Sequence, residues 1–292
     1  MKIYPFILSI CLMLFLGCSS DDDSNSSSSS ASVNTNANTQ QPTNRMEFPH
    51  LDGSQCKVLV HKDGSEINYS IEWDINKNAQ RWTCYELYQS NLTQGKGVKR
   101  YNPDDYHLKY LPDPLLPSLT DLIKGSGYEH GHIIPSADRL NTTAQNVQTF
   151  YYTNMMPQLR KFNSGVWRNM ENAVRDFVRS AYYTTCDTLY VCRGGTIGAG
   201  GTLKNQVIKT QSNGLIVPAY YFCALLMVKN GQYHAIGLLF KHEANTDGNL
   251  AKYCRSIDQL EEETGIDFFC NLPDNREKGI EATYLPSIWN FN

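Results

Sequence analysis

An α+β fold, with an antiparallel central sheet flanked by helices, is what this 292-residue sequence predicts. Two observations carry that reading. Runs rich in β-branched and aromatic residues, bounded by Asp-Gly or Asn pairs, recur along the chain. Two segments with helix signals stand among them, without regular alternation of strand and helix. Composition agrees: at 41% hydrophobic and 19% charged there is ample material for a core. The chain has no Gly-X-Y period, no sustained heptad and one long apolar run, which excludes collagen-like, coiled-coil and polytopic membrane classes. A formal charge of −3 argues against a histone-like protein held to nucleic acid by bulk charge, but leaves room for a local basic cleft.

Residues 1–18 read as a secretory leader. Lys2 supplies the positive start, and the apolar run Pro5–Gly17 is too short for a bilayer core, which needs about 20 residues. Leu14-Phe15-Leu16-Gly17-Cys18 resembles a bacterial lipobox, which implies cleavage before Cys18 and lipidation of its thiol. Residues 19–45 read as a disordered tether. Nine of the 26 residues from Ser19 to Asn44 are Ser, and the few apolar side chains cannot offset chain entropy. Ser20-Asp21-Asp22-Asp23 resembles the acidic export signal of surface lipoproteins in Bacteroidetes-type bacteria. That implies an outer-membrane lipoprotein exposed at the cell surface and held to the membrane by its lipid alone. Residues 46–292 remain as one large domain.

Within that domain, Lys57–His61, Ile67–Asp74 and Ala79–Gln89 read as antiparallel strands, the first two joined by a turn at Asp63-Gly64. Four prolines between residues 99 and 127 predict a long irregular loop. Leu189–Arg193, Ile216–Val228 and Gln232–Phe240 read as further strands. Asn230-Gly231 marks a hairpin, and Pro218 moves the start of the middle strand to about Ala219. Ser256-Ile-Asp-Gln259 is a capping box for a helix that ends near Gly265. A second helix, from about Asn163 to Ala181, carries Val166, Trp167, Met170, Val174, Phe177 and Val178 at core-facing spacing. Of nine cysteines, seven lie beyond the leader, and none forms a CxxC pair. Cys84, Cys192 and Cys223 sit in apolar runs and read as core residues, while some pairing among the rest fits an oxidising compartment.

Two segments carry chemistry. On the predicted helix, Asn163, Trp167, Glu171, Arg175 and Arg179 recur every four residues, which lines them along one ridge. By itself Glu171–Arg175 reads as a surface pair. Upstream, Glu129-His130-Gly131-His132 precedes Pro135, so His132 stands at a strand end or in a loop, where an imidazole can act as a general base. His130 and His132 also read as zinc ligands, although no Cys or third His stands at ligand spacing.

Together these segments resemble the DNA/RNA non-specific endonucleases, the family of mitochondrial endonuclease G and secreted bacterial nucleases with a ββα-metal site. The matching residues are Gly131, His132 and Pro135, then Asn154, Pro157 and Gln158, then Asn163, Gly165, Trp167 and Glu171. The resemblance extends loosely from about Tyr69 to Pro273. It implies a Mg²⁺-dependent endonuclease, with Mn²⁺ as a possible substitute, that cleaves DNA and RNA without sequence preference and leaves 5′-phosphate ends. Asn163 would hold the ion directly, Glu171 would hold it through water, and His132 would deprotonate the attacking water. Asn154 and Gln158 would orient substrate or water, or merely bond the loop backbone. Arg100 falls where a phosphate-clamping arginine stands, and Arg175 matches a further site arginine. Glu129-His130 replaces the family's Asp-Arg. Exchanging a permanent forked donor for one charged only when protonated implies weaker substrate binding or activity skewed toward lower pH. The alternative reading is a surface lipoprotein of the same fold that binds nucleic acid with weakened catalysis.

Overall fold

Hydrophobic runs that are buried on both sides explain the central element of this computed structural model, which describes residues 34–92, 98–180, 186–198 and 200–291. Seven antiparallel strands form one sheet. In spatial order they are β1 (Cys56–Asp63), β2 (Glu66–Asp74), β3 (Ala79–Leu87), β6 (Cys186–Gly195), β9 (Tyr220–Lys229), β10 (Gln232–Lys241) and β11 (Cys254–Arg255). Along β9, Tyr221, Cys223, Leu225 and Met227 face one core, while Phe222, Ala224 and Leu226 face another. An unbroken apolar strand therefore serves a sheet covered on both sides. The Asn230-Gly231 turn has both residues at positive φ, 51° and 73°, as a tight hairpin requires. The sequence's Ile216–Val228 run splits at Pro218: β8 (Ile216–Pro218) pairs with β7 (Val207–Thr210) in a separate ribbon before β9 begins.

The first face is covered by helix α3 (Arg168–Arg179), whose Met170, Val174, Phe177 and Val178 are fully or almost fully buried. The second face is covered by α4 (Ile257–Thr264) and by Phe268, Phe269 and Leu272. The Ser256–Gln259 capping box is formed in both directions, and Gly265 ends α4 at φ +74°. Two helices escape the apolar pattern. One is the short α1 (Thr143–Gln148), capped by Thr142, and the other is the polar α5 (Asp274–Glu281). No helix among the described residues is long and apolar enough to cross a membrane. Cys18 and the rest of the expected leader lie outside the described residues.

The expected tether ends earlier than residue 45. Asn34 Nδ2 donates to the Cys270 carbonyl (2.9 Å), and buried Asn38 donates to the carbonyls of Thr43 (3.1 Å) and Pro49 (2.9 Å). Low apolar content did not keep this segment loose, because side-chain amides satisfy backbone groups that burial would otherwise orphan. Six cysteines, including Cys84, Cys192 and Cys223, are free among the described residues, so no pairing is formed there.

A two-stranded ribbon places the chemistry. β4 (Glu129–His132) pairs antiparallel with β5 (Met155–Gln158), setting His132 opposite Met155 and Glu129 opposite Gln158. The ribbon is fastened to the main sheet from two sides. The Tyr221 hydroxyl donates to the Pro157 carbonyl (2.7 Å), and the Leu159 amide donates to His242 Nε2 (2.8 Å).

Candidate active site

The helix that follows the ribbon is not one regular rod. A single turn at Arg160–Phe162 (α2) leads into a π-helical turn at Asn163–Trp167, and only then does α3 begin. Gly165 adopts φ −110° and ψ −116°, and a Cβ there would collide with the Asn245 carbonyl. The same carbonyl accepts the Val166 amide (2.9 Å), which the widened turn leaves without its helical partner. This corrects the expected four-residue ridge. Within the row, Trp167 is fully buried and Arg179 pairs with Asp176 at 3.6 Å. Asn163, Glu171 and Arg175 still line a common cavity.

That cavity has a volume of about 850 Å³ and is also lined by His132, His130 and Arg100. Two hydrogen bonds join the ribbon to the helix beside it. Trp167 Nε1 donates to the His132 carbonyl (3.1 Å), and Asn163 Nδ2 donates to Glu129 Oε2 (2.9 Å). Because Glu129 occupies the nitrogen end of the amide, the oxygen of Asn163 is the end left for the cavity. His132 packs edge-on against Phe150 (4.9 Å, 85°), and its Nε2 is buried without a hydrogen bond, leaving Nδ1 to the cavity. Burial, reinforced by the charges of Arg100, Lys109 and His130, pulls the His132 imidazole down to about 3, so it is neutral at ordinary pH.

Glu171 responds to burial in the opposite sense and is pushed up to about 7, against the lowering pull of Arg175 and Arg193. Arg175 is fixed by Asp138 (Nη1–Oδ1, 2.8 Å) and Asn172 (Nη2–Oδ1, 2.6 Å) and stands 4.0 Å from Glu171. Asp138 is fully buried. It also accepts the Tyr85 hydroxyl (2.8 Å) and lies 3.8 Å from the buried guanidinium of Arg193. Sequence reading missed Asp138 and Arg193, although an arginine inside the apolar run Leu189–Arg193 was the available signal.

The contacts of Asn154, Gln158 and His130 bear on the roles expected of them, and Asn154 matches the alternative that it bonds the loop backbone. Asn154 is fully buried and spends its side chain on backbone: Nδ2 donates to the carbonyls of Ile134 (3.0 Å) and Thr149 (2.7 Å), and Oδ1 accepts the Ile134 amide (2.9 Å). It shapes the loop after His132 and does not line the cavity. Gln158 is buried against Gly131, where any Cβ would collide with it, and neither its Oε1 nor its Nε2 has a hydrogen-bond partner among the described residues. His130 does line the cavity, but its Nε2 is 2.7 Å from Asp121 Oδ1 and its ring stacks on Tyr110 at 3.9 Å. Burial acts to raise the Asp121 carboxyl, but the bond and charge of His130 outweigh it and hold Asp121 below its usual range. Arg100 is exposed, with its guanidinium 5.1 Å from the Phe150 ring that also supports His132.

The donors suit a hard cation: an amide oxygen and a carboxylate, with no thiolate. The zinc reading is not supported. Among the described residues, the group of three His, Cys, Asp or Glu side chains close enough to share an ion is Asp258, Glu261 and Glu281, which excludes both histidines.

Comparisons with known proteins agree with this geometry. A family model for DNA/RNA non-specific endonucleases matches residues 61–275. A protein described as a nuclease in Nostoc sp. is 32% identical over 219 residues, covering 73% of this chain and 75% of that protein. Mitochondrial endonuclease G of Caenorhabditis elegans is 26% identical over 215 residues, covering 70% of this chain and 67% of its own length. A solved complex of EndoG with EndoGI superimposes with a TM-score of 0.61 at 22% identity, covering 82% of this chain and 96% of the other, and supports the fold.

Proposed function

Because the chain belongs to the DNA/RNA non-specific endonucleases and is a hydrolase acting on nucleic acid, we propose that it cleaves phosphodiester bonds of DNA and RNA with His132 as general base and Mg²⁺ as cofactor. The observation that carries this reading is the pairing of ribbon and helix, in which His132 and Asn163 line one cavity and are braced by the Trp167 and Glu129 hydrogen bonds. Asn163 would hold the ion through its amide oxygen and Glu171 through water, while Mn²⁺ meets the same oxygen preference. When bound, the ion would offset the negative charge that builds on the phosphate and on the departing 3′ oxygen. His132, neutral and desolvated, takes a proton from the attacking water at Nδ1; the water oxygen bonds to phosphorus, the bond to the 3′ oxygen breaks, and that oxygen takes a proton from solvent, so the phosphate stays on the 5′ end. Arg175 holds Glu171 in place from its anchor on Asp138, and Arg100 meets the backbone phosphate at the exposed side.

Incubating the purified full-length chain with plasmid and with RNA in Mg²⁺ is expected to degrade both, and excess chelator is expected to stop degradation. Turnover undiminished by chelator would reject the cofactor assignment.

His130 supports a weaker grip on phosphate than arginine would give, since its Nε2 already faces Asp121. His130→Arg is therefore expected to lower KM and to steepen the salt dependence of binding by about one charge, leaving kcat near its original value. Steady-state kinetics over a salt series decides this, and an unchanged slope would count against it.

Cys18 supports attachment to the cell envelope, as an outer-membrane lipoprotein exposed at the surface, through its place in the lipobox-like run. Labelled fatty acid should enter the wild-type chain and be absent from Cys18→Ser.

A further inference from the structure

On the face of the sheet opposite the cavity, α4 and α5 bring together three carboxylates, none of which forms an ion pair among the described residues. Asp258 and Glu261 come from α4, and Glu281 is the last residue of α5. One oxygen from each lies within 4.8 Å of the other two. Exposure is graded across the group: Asp258 is exposed, Glu261 is half-buried, and Glu281 is only 4% exposed. The group is thus reached by solvent at Asp258 and covered at Glu281. Glu281 Oε1 is buried and has no hydrogen-bond partner among the described residues. Leaving such an oxygen unpaired is costly, and its position makes the cost larger. It stands at the negative end of its helix and four residues from Glu277, so dipole and neighbour both oppose its charge.

Of the basic groups on these elements, Lys278 stands three residues before Glu281 on α5 and is exposed. Arg255 pairs with Glu263 (3.1 Å), and Arg276 lies over the Tyr233 ring. The N-terminal segment adds another acceptor at the edge of the same acidic region. Asn36 Nδ2 donates to Asp267 (3.1 Å) and Glu277 (3.2 Å), while its own Oδ1 is buried and unpartnered.

We propose that Asp258, Glu261 and Glu281 bind one calcium ion, distinct from the catalytic cofactor. The donor set is all oxygen, which excludes the thiolate and imidazole preferences of zinc. The three oxygens come from two helices at unequal depths, a set that suits the flexible coordination of calcium better than the near-ideal octahedron magnesium demands. The ion would link α4 to α5 beside the contacts of Asn36, and so would add to stability without touching the chemistry of the cavity.

The test is calorimetric titration of the chelator-stripped full-length chain with CaCl₂, paired with thermal melts. Wild type should bind one calcium at this site and gain about 5 °C in Tm at saturating calcium. Glu281→Gln, which resembles the protonated acid in shape, should fold and lose both the binding and the gain. Asp258→Asn, at the exposed rim, should weaken binding at least tenfold and serves if Glu281→Gln does not fold. Asn163→Ala should keep the calcium. Absence of calcium binding in wild type, binding unchanged in both carboxylate variants, or binding lost only in Asn163→Ala would overturn the proposal.

Discussion

Replacing His132 with alanine is expected to lower kcat about 10²–10⁴-fold, the usual scale for a general base, with the fold retained. The side chain makes an edge contact with Phe150, while its backbone carbonyl, which survives the substitution, keeps the bond from Trp167. The loss should therefore fall on rate. Circular dichroism and urea midpoints should stay near wild type while plasmid cleavage collapses, and equal rates in the two proteins would remove His132 from the mechanism. The pH profile carries a second expectation. A lowered imidazole loses its proton at about 3, so above about pH 4 the free enzyme already holds the base form. The acid limb of kcat/KM due to His132 should thus lie near pH 3 and be absent around 6.5. Part of that lowering comes from Arg100 and Lys109, whose charge an incoming phosphate offsets, so the base strengthens when substrate is bound.

Asp138→Asn is expected to be the most damaging substitution for stability, costing about 3–5 kcal/mol, the range for stripping one partner from a buried ion pair. Asp138 has no exposed surface, and Arg193 has none either. Arg193 has two guanidinium nitrogens, Nη1 and Nη2, without a hydrogen bond, and Arg175 relies on Asp138 for its 2.8 Å contact. Against a typical total of about 5–15 kcal/mol, such a loss is large. Denaturant titration measures it. A change under about 1 kcal/mol would show that the network contributes little, and activity should fall with it because Arg175 would no longer be held beside Glu171.

The sheet was legible because β-branched runs and turn residues agree with one another: β1, β2, β3 and β10 stand within a few residues of their expected bounds. The ribbon was not, since Glu-His-Gly-His and Met-Met-Pro-Gln carry neither alternation nor apolar length. Its existence depends on the Tyr221 and His242 contacts from distant strands. The π-helical turn was equally hidden, because Gly165 reads as a mild helix weakener until the Asn245 carbonyl occupies the space where a side chain would stand. His132, Asn163 and Glu171 were legible as an ordered set. The true surroundings of Asn154 and Gln158 were not, because an amide that bonds the main chain and one that faces solvent look identical in a linear string.

The docked segment near the start of the folded body has a practical corollary for anyone shortening this protein. A recombinant version beginning at residue 46 would discard Asn38, whose amide caps the Cys270 thiol at 3.4 Å, and would strip the cover from a cysteine that is now wholly enclosed. Such a truncate should oxidise and clump in air where the intact form does not, so a soluble derivative is better cut ahead of residue 34.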